Sequence, residues 1–351
     1  MPPIPYTDDV ERIQPDESEH VRRCIDAMLR TNAMTADLHR HGVSATHAKS
    51  HGVLRGTLTV HDDLAPELAQ GLFVRPATYD VVARIATETG QLDDDRTPNA
   101  RGFALKVFGV DGETMHPTDP DHRVHDLLFN TLPILPLGTA RTFMELAEIR
   151  ERNFSRPEGI DEEVARRPDA ETLTAFGRLA NIHPLGHAYY TQGVFRYGDY
   201  VAKIGLHPGT DGQRALARRE VTDDDPRSVL RDLLVDWTST RETVFELGVQ
   251  LRTDADAMPV EDASVDWPQE LSPYRAVATV RFPPQDAYSA ARRVFADDRL
   301  AFRPWNGLAA HRPLGSVNRL RKQAYEELGA QRGALNATAL TEMRSAAELP
   351  A

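Results

Sequence analysis

A two-residue alternation of apolar side chains begins near Gly56 and constrains the possible folds more than any other feature of the sequence. It recurs in "GTLTV", in the β-branched "YDVVARIAT" and in "RGFALKVFGV", where Phe103, Leu105 and Val107 fall on one face. "GVFRYGDYVAKIGLHP" and "YRAVATVRFP" have strand character again, and "RYGDY" is typical of a turn between two strands. Because strands come first and helices gather toward the C-terminus, the order favours an antiparallel α+β fold over repeated βαβ units.

Helical patterns flank these strands. "SEHVRRCIDAMLRTN" and "SVNRLRKQAYEELGAQR" both have apolar residues at helical intervals. Residues 1–16 are rich in Pro and Asp, which predicts a loose arm. No internal repeat or low-complexity linker divides the chain. We therefore expect an N-terminal arm and helix over residues 1–40 and a single domain over residues 41–351, with its strands ending near residue 285 and its helices after them.

Charge and composition exclude several classes of partner. The 351 residues carry a formal net charge of −12, from 41 Lys and Arg against 53 Asp and Glu, which disfavours binding to nucleic acid or to an anionic membrane surface. No apolar run approaches the roughly 18–20 residues of a spanning helix, and the first residues lack the layout of a secretory signal. Cys24 is the only cysteine, so no intramolecular disulfide can form. We expect a cytoplasmic protein.

Arg321 and Tyr325 in "RLRKQAY" (319–325) lie four residues apart on a predicted helix and therefore share a face. One interpretation is a tyrosine packed on the core with its hydroxyl satisfied. A second is a guanidinium stacked on the ring by a cation–π contact. A third is a tyrosinate bound to haem iron, because a metal ion and a nearby guanidinium both favour the ionised form of a phenol whose ordinary pKa is about 10. The spacing alone leaves all three open.

Five further stretches, in chain order, resemble the catalase superfamily, and in particular its shortened members. They are "THAKSHGVLRGTLTV" (46–60), "VVARIAT" (81–87), "NARGFALKVFGVDGE" (99–113), "HDLLFNTLPIL" (125–135), and "LAFRPWN" (300–306) followed by "RLRKQAY". The resemblance covers residues 47–332. It implies an α+β fold with an antiparallel eight-stranded β-barrel and helices packed outside it, and it implies haem b as the cofactor.

The resemblance also assigns roles to individual residues on the two sides of the cofactor. On the proximal side, Tyr325 corresponds to the iron ligand and Arg321 to the arginine that keeps it ionised. On the distal side, His47 corresponds to the acid–base histidine and Asn130 to the amide that hydrogen-bonds the peroxide.

Three more residues correspond to positions that contact the cofactor itself. Phe143 matches the phenylalanine that lies over the haem. Arg84 and Arg332 match arginines that pair with the haem propionates, a task suited to a planar, permanently charged group.

The sequence departs from the family pattern at two positions. Ser44 stands where the family has a propionate-binding arginine, for which Arg40 is a candidate substitute at a different spacing. Ala86 stands where a serine would orient the distal histidine, so that ring is expected to be less firmly held. A second histidine, His51, follows His47, and either could be the distal one; we favour His47.

The resemblance implies a haem-dependent catalase or peroxidase that acts on hydrogen peroxide or on organic hydroperoxides, including lipid ones, and we expect a homo-oligomer. A non-catalytic haem-binding or sensing protein, and an enzyme that rearranges hydroperoxides, remain alternatives. The run "HRHGVSATHAKSH" (39–51) also leaves open a zinc site, although zinc prefers a fixed tetrahedral ligand set.

Overall fold

The strands of the computed structural model, which describes residues 2–116, 119 and 121–351, form one antiparallel sheet. The alternating segments become strands because successive side chains point to opposite faces, one toward the core and one away from it. The strands are β1 (Ser50–Val60), β2 (Thr78–Thr87), β3 (Arg101–Phe108), β4 (Val124–Asn130), β5 (Tyr189–Tyr190), β6 (Val194–Tyr197), β7 (Tyr200–Pro208), β8 (Thr243–Leu251), β9 (Arg275–Phe282) and β10 (Pro313–Leu314).

The sheet closes on itself as an eight-stranded barrel. β1 pairs with β2 on one side and with β9 on the other, and pairings β2–β3, β3–β4, β4–β5, β5–β7, β7–β8 and β8–β9 complete the circuit. β6 and β7 form the hairpin around Gly198 that "RYGDY" predicts, and β10 extends β6. The expected antiparallel eight-stranded barrel is confirmed. Closure leaves its strands without the free edges that invite aggregation.

The barrel interior is filled by apolar side chains from alternate strand positions. Phe103 lies at its centre, with ring-centroid distances of 5.4 Å to Tyr189, 5.3 Å to Phe245 and 6.2 Å to Phe282. Tilted and edge-to-face aromatic pairs at such distances are favourable beyond the area they bury. The predicted face of Phe103, Leu105 and Val107 is therefore the inner one.

The helices pack outside the barrel. They are α1 (Glu17–His39), α2 (Ala140–Arg152), α3 (Glu158–Val164), α4 (Ala170–Leu173), α5 (Asp211–Arg214), α6 (Val229–Thr240), α7 (Ala290–Val294) and α8 (Ser316–Leu335). Cys24 and Ile25 of α1, Met144 of α2, and Leu320 and Ala324 of α8 share one buried cluster. These three helices therefore form a single layer, which faces the outer surface of the barrel.

The N-terminal arm is not loose, contrary to the expectation from its composition. The backbone N–H of Ile4 donates to the carbonyl of Arg252 (2.8 Å) and that of Tyr6 to the carbonyl of Asp199 (2.7 Å). Further along, Glu11 forms salt bridges with Arg312 (2.9 Å) and Arg319 (2.6 Å). The arm is thus fixed to the barrel and to the start of α8. The domain boundary near residue 40 stays a prediction.

Within the described residues, no helix combines the length and the apolar character needed to cross a membrane.

Candidate functional site

One large cavity lies between the outer face of β2–β4 and the layer of α1, α2 and α8. About 1510 Å³ of space, which includes open solvent at its mouth, lies between its walls. The cavity is lined by every residue that the resemblance singles out, namely His47, Arg84, Asn130, Phe143, Arg321, Tyr325 and Arg332.

The barrel side of the cavity, which we call the strand wall, consists of Arg84, Ala86, Glu88, Gly102 and Asn130 together with His47. Successive side chains of a strand point to opposite faces. Because Ile85 of β2 packs in the barrel core, its neighbours Arg84 and Ala86 point outward. The pairing of β2 with β3 places Ala86 opposite Gly102. That of β3 with β4 places Gly102 opposite Asn130.

His47 reaches the strand wall through an unusual backbone conformation. Its φ is +56°, and its N–H donates to the carbonyl of Glu88 (2.8 Å). The imidazole lies against the backbone of Gly102, where a Cβ would come within 2.3 Å of Nδ1. Only glycine at position 102 leaves room for this ring.

Burial, together with the charges of Arg84 and Arg321, lowers the pKa of His47 to about 3. The ring is therefore neutral near pH 7. Its Nδ1 is buried and has no hydrogen-bond partner among the described residues. Ala86, which pairs with Gly102 beside this ring, has no hydroxyl group to bond it.

The side chain of His51, unlike that of His47, does not reach the cavity. It lies at an irregularity of β1, between Ser50 and Gly52, is fully buried, and its Nε2 lies 2.8 Å from the hydroxyl of Thr87. Of the two candidate histidines, the cavity therefore contains His47, the one that we favour.

Asn130 ends β4 and is 4% exposed. Its side-chain oxygen is buried and unpartnered within the described part of the chain. A buried amide oxygen without a partner costs stability unless a ligand satisfies it. The amide is therefore available to a molecule in the cavity.

The opposite side of the cavity, which we call the helix wall, consists of Phe143 of α2 with Arg321, Tyr325 and Arg332 of α8. Arg321 and Tyr325 share a helix face as predicted. The guanidinium carbon lies 5.5 Å from the centroid of the tyrosine ring, and Nη1 donates to Asn318 (3.0 Å). The cation–π interpretation of this pair is thus realised in the structure, on a tyrosine that also faces the cavity.

Arg84 and Arg332 bring two positive charges to the same end of the cavity. Arg84 donates to the carbonyl of His47 (2.9 Å), and Arg332 donates to the hydroxyl of Ser44 (2.9 Å) and the carbonyl of Leu300 (2.8 Å). Among the described residues none of these partners is an anion, and Nε of Arg84 has no partner.

Burial is the main cause that lowers the pKa of both guanidinium groups. The pKa of Arg332 falls to about 10, and the charge of Arg84 contributes to this shift. Asp297 opposes this in both cases. Two buried cations with neutral partners form a site that an anionic group would stabilise.

Arg40 does not take the place of the arginine that Ser44 replaces. Its side chain is 86% exposed, and it pairs with Asp37 (3.2 Å). Instead, the hydroxyl of Ser44 accepts a hydrogen bond from Arg332. Within the described residues, no group of three or more His, Cys, Asp or Glu is placed to hold a metal ion, so the zinc alternative gains no support.

Sequence reasoning missed Glu88, which lines the cavity beside His47. Burial raises its pKa, and Asp93 raises it further, while the charge of Arg150 lowers it. A signal was available, because Arg84, Ala86 and Glu88 are two residues apart and alternation puts them on one face. Thr191, Gln192 and Gly193 were also missed; they follow β5, and no pattern in the sequence marks them.

Comparisons with solved structures identify the architecture. A fungal catalase superposes with a TM-score of 0.62 at 14% identity, over 87% of this chain and 64% of that one. Catalase A from Saccharomyces cerevisiae gives a TM-score of 0.56 at 16% identity, over 88% of this chain and 67% of that one. The chain thus spans 64% of the length of the fungal catalase. No family model and no curated protein matches the sequence. At these identities the likeness concerns the fold alone.

Proposed function

We propose that this chain, which has the catalase-like fold, is a haem-dependent oxidoreductase that acts as a peroxidase or catalase on hydrogen peroxide or organic hydroperoxides. The observation that carries the proposal is the common cavity. Seven side chains from β2, β4, α2, α8 and the segment before β1 line it, and each is of the type that haem peroxide chemistry requires.

The charges that line the cavity fit a haem group. Arg84 and Arg332, whose polar partners in the described structure are uncharged, would hold the two propionates, assisted by the hydroxyl of Ser44. Tyr325 would be the iron ligand, and Phe143 would pack against the macrocycle. When bound, the haem supplies a redox-active iron that can take part in breaking the O–O bond of a hydroperoxide.

His47 would perform the proton transfer on the strand wall. Its depressed pKa keeps the imidazole neutral, which is the form that can accept a proton from the hydroperoxide and return it to the departing oxygen. Asn130, with an unpartnered amide oxygen, would orient the substrate by hydrogen bonding. Both groups reach the same region because each lies beside Gly102.

Arg321 would favour the ionised form of Tyr325 from the helix wall. A guanidinium over the ring places positive charge near the phenol, and positive charge stabilises a phenolate. The same contact restricts the rotamers of both side chains and would hold the tyrosine toward the cavity.

A second candidate function is non-catalytic haem binding or sensing. The specific observation in its favour is the unpartnered Nδ1 of His47, opposite an alanine that cannot orient the ring. A base that is not held in place is a poor proton shuttle, because catalysis requires the ring within hydrogen-bond reach of the proton.

The ligand assignment is tested by adding haem to the purified protein and recording the absorption spectrum of the ferric form. We expect a tyrosinate-type spectrum that is lost in Tyr325→Phe and kept in Tyr79→Phe, since Tyr79 does not line the cavity. An unchanged spectrum in Tyr325→Phe would refute the assignment.

The catalytic assignment is tested with hydrogen peroxide and with an organic hydroperoxide, together with analysis of the products. We expect His47→Ala to lower turnover by about 10²–10⁴-fold, the usual contribution of a general acid–base group. Wild-type protein that takes up haem but turns over neither substrate would favour the sensing candidate. A rearranged product in place of an alcohol would indicate the rearranging activity.

A further inference from the structure

Glu88 is the ionisable side chain of the strand wall to which the proposed function assigns no role. It directly follows β2, and its N–H donates to the carbonyl of Ala100 (3.0 Å), the residue before β3. The pairing of these two segments therefore continues past the end of β2. It therefore stays in phase with Arg84 and Ala86, and all three side chains line the cavity.

Glu88 is also the backbone partner of His47. Its carbonyl accepts the N–H of His47 at 2.8 Å. The carboxyl group and the imidazole thus line the cavity from two residues that this backbone hydrogen bond joins.

The carboxyl group of Glu88 forms no hydrogen bond or salt bridge within the described part of the chain. The charged groups that act on it are Arg150 of α2 and Asp93 of the loop that follows β2. Arg84, on the same face, donates to the carbonyls of His47 and Ala48 rather than to Glu88. A carboxyl group in a cavity wall without a protein partner is free to contact a ligand.

His47 is neutral near pH 7, because its pKa is lowered to about 3, and its Nδ1 has no partner among the described residues. Burial raises the pKa of Glu88 above the usual 4.5. The strand wall thus holds two groups that can accept a proton, the imidazole of His47 and the carboxylate of Glu88.

We propose that Glu88 is a second acid–base residue of the strand wall, which shares with His47 the transfer of the hydroperoxide proton to the leaving oxygen. The inference rests on the proposed function. The step is a proton transfer only. When Glu88 takes the proton, one O–H bond of the hydroperoxide breaks as the carboxyl O–H bond forms, and the same proton then goes to the oxygen that leaves as water or an alcohol. The two electrons that cleavage of the O–O bond requires would come from the haem of the proposed function.

The pH dependence of turnover tests this assignment in the haem-loaded protein. If the carboxylate accepts the proton, the rate rises with pH through the pKa of Glu88, above pH 4.5. His47, with its pKa of about 3, cannot produce a limb there. We expect Glu88→Gln to lower the rate by about 10²-fold and to abolish the limb.

Asp93→Asn is the matched control. Asp93 acts on Glu88 only through its charge and does not line the cavity. Because Asp93 raises the pKa of Glu88, its neutralisation is expected to move the limb to lower pH without removing it. Glu88→Gln with a wild-type rate and an unchanged limb would overturn the proposal.

Infrared titration of the haem-free protein gives a readout that does not depend on activity. The carbonyl stretch of a protonated carboxylic acid that titrates above pH 4.5 should be lost in Glu88→Gln and kept in Asp93→Asn. One outcome is that the wild type binds haem and consumes hydroperoxide while Glu88→Gln loses this band but keeps the wild-type rate. In that case Glu88 is not an acid–base residue, and the proposed function stands. If the wild type consumes no hydroperoxide, both fail.

Discussion

The two faces of β2 and β3 differ in what they contact. On the inner face, Ile85, Phe103 and Leu105 are at most 1% exposed and pack in the barrel core. On the outer face, Arg84 and Gly102 line a cavity. A single strand alternation thus builds the core with one set of side chains and the candidate site with the other.

The comparison shows where stability is generated and where it is lost. Core aromatics bury large apolar areas, whereas the outer face holds buried polar atoms without partners on Arg84, His47 and Asn130. Each such atom costs about 1–3 kcal/mol. The burial of apolar side chains in the barrel interior therefore has to offset the cost of these unpartnered polar atoms until a ligand binds. Substitutions on the two faces test this division.

Truncation on the inner face should be the most damaging. Phe103→Ala is expected to lower the free energy of unfolding by about 3–5 kcal/mol, because it leaves a cavity among four aromatic rings. Denaturant titration measures this. Phe143→Ala on the helix wall is the control and should cost less, because its ring is only partly buried. Equal losses would contradict the division.

Histidine protonation should also weaken the core. His311, which is 1% exposed and packs against Phe73 and Tyr197, has its pKa lowered to about 4 by burial. Between pH 4 and the unfolded value of about 6.5, the unfolded chain binds the proton and the native chain does not. This contribution is complete above pH 6.5 and is lost as the pH falls, by up to about 3 kcal/mol.

His311→Gln should lower the slope of the unfolding free energy against pH in this range by the equivalent of one bound proton. Denaturant titration at a series of pH values measures this slope. If the slope stays that of the wild type, His311 is not a neutral core residue. Its Nε2 accepts the N–H of Leu72 (2.8 Å), an interaction that would be weakened by protonation.

A methyl group on the outer face should disturb the site more than the fold. In Gly102→Ala, the new Cβ would lie 2.3 Å from Nδ1 and 2.4 Å from Cε1 of His47, so the ring must move. We expect a stability loss of about 1–3 kcal/mol and a strong loss of hydroperoxide turnover. Gly212→Ala, whose Cβ would meet only Trp237 at 3.7 Å, is the control. Wild-type turnover in Gly102→Ala would exclude the assigned position of His47.

The smallest effect is expected from restoring a hydroxyl group. Ala86 pairs with Gly102, beside the unpartnered Nδ1 of His47. Ala86→Ser should give the ring a hydrogen bond, raise turnover and change stability by about 1 kcal/mol or less. Ala104→Ser adds a hydroxyl elsewhere in the cavity lining and should leave turnover unchanged. A gain in both variants would mean that polarity, not orientation of His47, limits the rate.

The sequence predicted the strand pattern, the position of α8 and the shared face of Arg321 and Tyr325, because each depends on periods of two or 3.6 residues. It did not predict that the N-terminal arm is held to the barrel, since Ile4 and Tyr6 bond to backbone atoms roughly 190–250 residues away. Nor could it decide between His47 and His51. That choice depends on a left-handed residue at 47 and an irregularity at 50–52, and neither has a local signature.

Which residues alternate and which side chains share a face can be read from the sequence, because these are properties of the local backbone. What each face contacts depends on how distant segments pack together. Closing the barrel turned one face of β2 and β3 into the core and left the other against α1, α2 and α8. Long-range contacts, such as that between Arg332 and Ser44, brought residues from both ends of the chain to one cavity.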